Sequence, residues 1–204
     1  MQRGKLIIFE GGEGCGKGTH VKLFSNWLGQ KEIKHFCTKE PGGNPAGEKI
    51  RKILLDKKEN LDPLTELYLF CADRTEQYKQ TEGKLEKGVW VVSDRSWPST
   101  LAYQGTAGKV NRRLIEFLTK LTTKKIKPDL LYILDVDPKR GLEREVNPDR
   151  FADKGLPYHH KVRKGYLGIA EKYPEFSVII PYIPNEIAQM QEHIRLIAKE
   201  RLHI

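Results

Sequence analysis

Short apolar stretches alternate along the chain with longer stretches in which apolar residues recur at helical spacing. The helical pattern covers residues 17–29 and 63–87, and a further helix is expected to carry Ile50, Ile53 and Leu54 on one face. The short stretches predict strands, and several lack polar alternation, as strands buried on both faces do. The predicted strands are residues 5–10, 33–38, 89–94, 129–136 and 177–182. This alternation predicts an α/β fold with a parallel sheet covered by helices on both faces.

The stretch from residue 143 to residue 157 departs from this pattern, because it is charged, rich in Pro and Gly, and poor in apolar residues. Such a composition between two ordered units predicts a mobile loop. No repeat, linker or low-complexity tract divides the rest of the sequence. We therefore expect residues 1–204 to form a single domain.

The first predicted strand leads into a glycine-rich turn, FEGGEGCGKGTH at residues 9–20, and then into a helix. Gly11, Gly16 and Lys17 match the phosphate-loop pattern G-x-x-x-x-G-K-[ST], and strand, turn and helix are the context in which that pattern binds phosphate. Glycines let backbone N–H groups point at phosphate oxygens, and the helix N-terminus adds positive potential. Lys17 would bridge the β- and γ-phosphates of a nucleoside triphosphate. The alternative is a glycine-rich turn with a solvated lysine.

One position of this loop is unusual, because Gly18 stands where a Ser or Thr hydroxyl usually binds Mg²⁺. Mg²⁺ keeps much of its hydration shell in proteins, so the missing hydroxyl need not abolish metal binding. Thr19 could bond a phosphate from the first turn of the helix. Asp94, at the end of a predicted buried strand, is expected to hold a metal-bound water. The alternative for Asp94 is a helix cap for the segment that begins at Ser96.

The amino-acid composition limits the classes of partner that we expect the protein to bind. The chain has 36 Lys and Arg against 27 Asp and Glu, a net charge of +9, which fits either nucleic-acid binding or small polyanions. The basic residues are spread along the chain without a nucleic-acid-binding signature, so we favour small polyanions and expect no nucleic-acid partner. No apolar stretch approaches the ~20 residues that span a bilayer, and no membrane association is expected. Three cysteines without metal or disulfide spacing favour a cytoplasmic location.

A phosphate loop alone does not distinguish a kinase from a switch or a motor. The chain has no N-K-x-D segment that would read guanine, which argues against a GTPase. A small kinase would need a second anion site, and Arg74 and Arg95 are candidates because each follows an aspartate and carries a planar fork for phosphate. The alternative is two structural Asp–Arg ion pairs.

Six stretches together resemble the bacterial-type thymidylate kinases, members of the nucleoside monophosphate kinase family of P-loop proteins. The stretches are FEGGEGCGKGT (9–19), TKEPGGNPAGEKIRKILLD (38–56), LFCADR (69–74), VWVVSDRSWPSTLAYQG (89–105), KPDLLYILDVDP (127–138) and DRFADKGLPYHHKVRKGYL (149–167). The resemblance implies a five-stranded parallel sheet flanked by helices, of the P-loop NTPase type, with a short mobile lid at about residues 143–157. It implies transfer of the γ-phosphoryl group of ATP to dTMP, giving dTDP and ADP for dTTP synthesis, with Mg²⁺, in a homodimer.

The resemblance also implies the site residues. The catalytic residues would be Lys17, Asp94, Arg95 and Arg150. ATP would be bound by Gly11, Gly12, Glu13, Gly14, Cys15, Gly16, Lys17, Gly18, Thr19 and Arg144. The nucleoside monophosphate would be bound by Glu13, Glu40, Pro41, Phe70, Arg74, Arg95, Ser99, Thr100, Tyr103, Gln104 and Tyr166.

Within that set the resemblance implies individual roles. Phe70 would stack on thymine, Arg74 would reach the edge of the base, and Arg95 would hold the phosphate of dTMP. Either Thr100 or Gln104 would read the thymine N3–H. Further roles from the resemblance are a 3′-hydroxyl contact from Glu13, a contact with the sugar at C2′ from Tyr103, the pocket floor from Glu40 and Pro41, and closure over the base or sugar by Tyr166.

The lid is expected to supply a catalytic arginine, with Arg150 as the first choice and Arg144 as the alternative. Two residues depart from the family pattern: Gly18 replaces the usual Thr, and Lys39 stands where Arg is common before E-P-G-G. Two other functions stay open from the sequence. One is a nucleoside monophosphate kinase of broader specificity, and the other is an ATPase linked to nucleic acid.

Overall fold

A computed structural model describes residues 2–204 and contains one sheet of five parallel strands. The strands are β1 (Leu6–Gly11), β2 (His35–Lys39), β3 (Trp90–Asp94), β4 (Leu130–Asp135) and β5 (Ser177–Pro181). They lie in the order β2-β3-β1-β4-β5, so the first strand occupies the centre. All five predicted strands and the parallel sheet are therefore confirmed, with boundaries that differ by one or two residues.

Eight α-helices connect and cover the strands within residues 2–204. They are α1 (Lys17–Gln30), α2 (Pro45–Leu55), α3 (Pro63–Glu86), α4 (Trp97–Thr100), α5 (Arg112–Thr122), α6 (Pro138–Arg144), α7 (Leu156–Lys172) and α8 (Ile187–Leu202). A π-helical segment, Leu101–Ala107, continues α4. Three of the helices begin with proline after an Asn or Asp whose side chain accepts a backbone N–H, which fixes where they start.

The sheet is buried on both faces. Along β1, Ile7 and Phe9 contribute to a core cluster on one face, which α1 and α8 also build. Leu6 and Ile8 contribute to the cluster on the other face, together with residues of α3 and α7. Alternate side chains of a strand point to opposite faces, so a strand with no polar alternation is covered on both sides. This arrangement leaves the carboxyl ends of the strands as the accessible edge.

Two expectations need adjustment. The predicted apolar face of α2 was wrong at Ile53, which is 45% exposed, while Leu54 is fully buried; neighbouring residues point about 100° apart on a helix and do not share a narrow face. The stretch 143–157 is not one open loop, because α6 extends to Arg144, residues Ala152–Lys154 form a 3-10 helix, and α7 begins at Leu156. Its mobility stays a prediction.

No helix within residues 2–204 has both the length and the apolar character needed to cross a bilayer.

Candidate functional site

A cavity of about 620 Å³ lies at the carboxyl ends of β1, β2 and β3. Parallel sheets bind ligands in crevices of this kind. The predicted site residues that line it are Glu13, Gly14, Cys15, Gly16, Lys17, Gly18, Thr19, Glu40, Pro41, Phe70, Arg74, Asp94, Arg95, Ser99, Tyr103, Gln104 and Arg144. Those that lie behind this wall, bonded to its cations, are Gly11, Gly12, Thr100 and Tyr166. Arg150 does not line the cavity.

The glycine loop joins β1 to α1 in a tight turn. At Gly14, φ is 60°, and a Cβ there would lie 1.9 Å from the carbonyl oxygen of Gly141 in α6, so glycine is required. Gly16 is the N-cap of α1, and none of the described side chains caps that helix. The helix N-terminus therefore offers its first N–H groups to an anion in the cavity.

Lys17 is held inside this loop and is only 9% exposed. Its ammonium group donates to the carbonyl oxygens of Gly12 at 2.9 Å and Gly11 at 3.1 Å. Lys17 is therefore not a solvated lysine, and its charge lies at the floor of the glycine loop.

Arg95 faces the glycine loop from the end of β3. Its backbone is left-handed, with φ at 70°, and its N–H donates to the carbonyl oxygen of Phe9 at 2.9 Å. Nη1 donates to the Gly11 carbonyl oxygen at 3.1 Å and to the Tyr166 hydroxyl at 3.0 Å, while Nη2 lies 3.3 Å from Glu13 Oε1. Backbone and side chain thus fix the guanidinium group at the cavity wall.

Glu10, which the sequence analysis did not select, organises this wall from below. The side chain is fully buried on β1, and its carboxylate accepts from Ser96 N at 2.7 Å, Ser99 Oγ at 2.7 Å and the Tyr166 hydroxyl at 2.8 Å. Burial raises the pKa of Glu10 above its ordinary value, with Arg95 opposing the shift. It therefore receives the N–H at the start of α4, the capping role considered for Asp94.

Glu13 is a second acidic group at this wall. Its carboxylate accepts a hydrogen bond from the Tyr103 hydroxyl at 2.6 Å. Burial favours a raised pKa for Glu13, but the charges of Arg95 and Lys17 outweigh it, so the pKa lies below its ordinary value. Glu13 is thus an anion beside two cations, placed to accept hydrogen bonds.

Arg74 enters the cavity from α3 with one donor free. Its Nε donates to Glu40 Oε2 at 2.9 Å and its Nη2 to Thr100 Oγ1 at 2.8 Å, both fully buried contacts. Nη1 has no partner among the described residues. Burial raises the pKa of Glu40 to about 7, although Arg74 opposes this shift. Arg74 lines the cavity, so its unpaired guanidinium nitrogen keeps the capacity to donate to a polar ligand atom.

Aromatic rings form the side of the cavity next to Arg74. Phe70 and Phe151 have ring centroids 6.1 Å apart, and Phe151 lies edge-on to Tyr103 at 5.9 Å. All three rings line the cavity. The face of such a ring can stack on a planar ligand next to Arg74.

Arg150 lies away from the glycine loop. Its Nη1 donates to Glu66 Oε1 at 2.7 Å, and its Nε bonds the carbonyl oxygen of Leu54. Glu66 also accepts from Lys154 Nζ at 2.9 Å and from Gln104 Nε2 at 2.8 Å. The structure does not bring Arg150 to the phosphate loop, and its role as catalytic lid arginine stays a prediction.

Residues 144–147, by contrast, lie over the glycine loop. Arg144 Nε donates to the Gly14 carbonyl oxygen at 3.2 Å, and the Gly14 N–H donates to Glu145 Oε2 at 3.1 Å. Val146 is 85% exposed. This half of the predicted lid is held by few contacts, whereas Phe151 is buried.

Asp73 is a buried acid whose protonation affects stability. Its Oδ1 accepts from Gly42 N at 3.1 Å and its Oδ2 has no partner in the described chain. Burial raises the pKa of Asp73 to about 6. In the unfolded chain Asp73 ionises at its ordinary pKa of ~4. The neutral form therefore contributes its full stability below pH ~4, and this contribution is lost as the pH rises through 6.

Asp73→Asn is therefore expected to raise the free energy of unfolding at pH 8 by about 2 kcal/mol. Asn keeps the acceptor for Gly42 N and removes the buried charge. The gain should shrink at pH 5, as urea unfolding at both pH values would measure. Glu76→Gln, an exposed position of the same helix, is the control and should change little at either pH. Equal gains at both pH values would contradict the titration of Asp73.

Comparisons with known proteins point to one family. The family described as thymidylate kinase matches residues 9–194. A thymidylate kinase of Afipia carboxidovorans is 41% identical over 186 residues, which cover 87% of this chain and 82% of the relative. One of Carboxydothermus hydrogenoformans is 40% identical over 82% of this chain and 85% of its own length. The crystal structure of thymidylate kinase from Ehrlichia chaffeensis superposes with a TM-score of 0.79 at 29% identity, covering 97% and 99% of the two chains.

Proposed function

Because the chain belongs to the thymidylate kinase family and so phosphorylates dTMP with ATP, we propose that both nucleotides bind in the one cavity at the strand ends. The observation that carries this proposal is the position of Lys17 and Arg95. Both donate to the carbonyl oxygen of Gly11, each at 3.1 Å. Two cations that meet at one peptide group can hold two phosphate groups end to end.

The acceptor nucleotide belongs on the Arg95 side. Arg95 would bind the phosphate of dTMP with its planar fork. The base would lie against Phe70, with Arg74 at its edge. Glu13 and Tyr103, which share a hydrogen bond of 2.6 Å, would face the sugar.

The donor belongs on the glycine loop. The N–H groups at the start of α1 and the Lys17 ammonium would bind the phosphates of ATP. Arg144 of the predicted lid contacts this loop, because its Nε donates to the Gly14 carbonyl oxygen. We therefore assign Arg144 to the phosphates of the donor. Phosphoryl transfer needs mainly positioning and neutralisation of charge, which Lys17, Arg95 and Arg144 supply together.

Asp94 is the residue that would hold Mg²⁺. A Cβ built on Gly18 would lie 3.9 Å from Asp94 Oδ2, so the carboxylate is beside the first turn of α1. Within residues 2–204 no group of three His, Cys, Asp or Glu side chains forms a metal cluster, and one carboxylate with phosphate oxygens and waters is a set that suits Mg²⁺. When bound, the ion would neutralise negative charge on the phosphates of ATP.

Gly18→Thr is expected to lower the Mg²⁺ concentration that gives half-maximal activity, by about threefold or more. Across residues 2–204, Asp94 Oδ2 is the only atom found within 4 Å of a Cβ at this position outside the helix's own backbone and the chain neighbours, so a Cβ has room, and the Thr hydroxyl would add a ligand. A Mg²⁺ titration at fixed nucleotide concentrations measures this. Gly18→Val has the same shape without the hydroxyl and should not show the gain. The same shift in both variants would mean that the hydroxyl does not bind the metal.

The test of the proposed function compares kcat/KM for dTMP, dUMP, AMP and GMP with ATP as donor. dTMP should be preferred. A wide preference for AMP would favour a kinase of other specificity, and ATP hydrolysis stimulated by DNA would favour a nucleic-acid-linked ATPase.

We also propose that the protein is a homodimer in the cytoplasm and forms one domain. These points rest on the family resemblance and on composition.

A further inference from the structure

Two buried carboxylates stand behind the side chains that face the base. Glu40 holds Arg74, whose Nη1 has no partner among the described residues. Glu66, which is 1% exposed, holds Gln104, another residue that lines the cavity. The sequence analysis selected Arg74, Glu40 and Gln104 but not Glu66.

The contacts of Glu66 determine which way the Gln104 amide points. Glu66 accepts from Arg150 and Lys154, and a carboxylate paired with two cations is an acceptor without a proton to donate. The Gln104 atom that faces it at 2.8 Å must therefore be the NH₂ group. The other amide atom, the carbonyl oxygen Oε1, is then turned away from Glu66 and is given no donor by the described residues.

This orientation matters because the two ends of an amide differ. Thymine presents a carbonyl oxygen at C4 and an N–H at N3, so it needs a donor and an acceptor from the protein. Cytosine presents an amino group at C4 and a bare N3, which is the opposite pattern. Of the two side chains that line the cavity here, Arg74 carries donors only, and Gln104 Oε1, as oriented, is an acceptor.

We propose that Glu66 is a positioning residue that sets base selectivity, by holding Gln104 with its carbonyl oxygen toward the pyrimidine N3. The inference rests on the proposed function, since it assumes that the base lies beside Phe70 and Arg74. Glu66 does not touch the nucleotide. It acts through Gln104, and its pair with the buried Arg150 at 2.7 Å holds it in place.

Glu66→Gln keeps the size of the side chain but makes the partner of Gln104 an amide, so either orientation of Gln104 finds a hydrogen bond. The ratio of kcat/KM for dTMP to that for dCMP is then expected to fall by about tenfold, the scale of one misplaced buried hydrogen bond. Gln104→Met should lower the ratio to a similar extent. Adding Glu66→Gln to Gln104→Met should lower it no further, because the group through which Glu66 acts is gone.

A purely structural role for Glu66 predicts a different result. In that case Glu66→Gln would lower kcat/KM for dTMP and for dCMP to the same extent. The same loss would also appear when Glu66→Gln is added to Gln104→Met. Lys154→Met is the matched control, because it removes a partner of Glu66 on the lid side and leaves the bond to Gln104; the ratio should stay at the wild-type value. If Glu66→Gln does not fold, Glu66→Asp shortens the carboxylate by one methylene and should also lower the ratio.

An unchanged ratio in the Glu66 variant, or an equal loss with and without Gln104, would overturn the inference. Failure of the wild-type protein to prefer dTMP over dCMP would instead overturn the proposed function, so the two failures are distinguishable.

Discussion

Arg95→Ala is expected to lower kcat/KM for dTMP by about a thousandfold. The substitution removes the cation that we assign to the acceptor phosphate. It also leaves the buried Glu10 and the partly buried Glu13 without their shared partner, which lies 4.0 Å and 3.3 Å from them, and an unpaired buried charge is costly. Steady-state kinetics with dTMP and ATP, together with dTMP affinity by calorimetry, would measure the effect.

Two controls separate charge from geometry. Arg95→Lys keeps the charge but not the planar fork, so we expect an intermediate loss. Arg112→Ala removes an exposed arginine that pairs with Glu116 on α5 and should leave the kinetics unchanged. Affinity for ATP should change by less than about threefold in Arg95→Ala, because the glycine loop keeps its amides and Lys17. A variant within about tenfold of the wild type would contradict the role of Arg95.

Arg144→Ala is expected to lower kcat by about a hundredfold or more while KM for dTMP changes little. Arg144 contacts the Gly14 carbonyl oxygen at the donor loop, so we expect its charge to act on the transferring group and not on the acceptor. Single-turnover measurements at saturating nucleotide concentrations would isolate the chemical step from product release.

Arg150→Ala is the informative comparison for Arg144. Arg150 pairs with Glu66 and supports the wall that carries Phe151, so we expect its loss mainly to raise KM for dTMP. The opposite pattern, with kcat lowered a hundredfold or so by Arg150→Ala and unaffected by Arg144→Ala, would return the catalytic charge to Arg150. The sequence alone favoured that residue because it lies in the D-R-F stretch.

The fold was largely predictable because strand and helix periodicity are local properties. Every predicted strand is present, and the glycine loop opens α1 at Lys17. The helical face of α2 failed at Ile53, since spacing alone does not say which residues at the edge of a stripe will be covered. Burial at such positions depends on the neighbouring helix, which the local pattern does not contain.

The site residues that belong to a sequence motif were predictable. Residues whose partners are distant in the sequence were not. Glu10 was missed because it lies at the end of an apolar strand and resembles the polar residue that ends such a strand. It could have been found from its position, because it is an acid that precedes Gly11 within an otherwise buried strand. Glu66 meets Arg150 across 84 positions and Gln104 across 38. A pairing over such separations leaves no local pattern, so Arg150 looked like a free lid cation.

The contact between Glu145 and Gly14 has a consequence for the order of events. Its carboxylate accepts an amide that the glycine loop would otherwise offer to a phosphate, so an incoming donor nucleotide and this carboxylate compete for one N–H. Phe151, a few positions later, is packed into the base wall. We therefore expect the Glu145 carboxylate to move off this amide before a donor phosphate binds there, while the base wall around Phe151 keeps its packing.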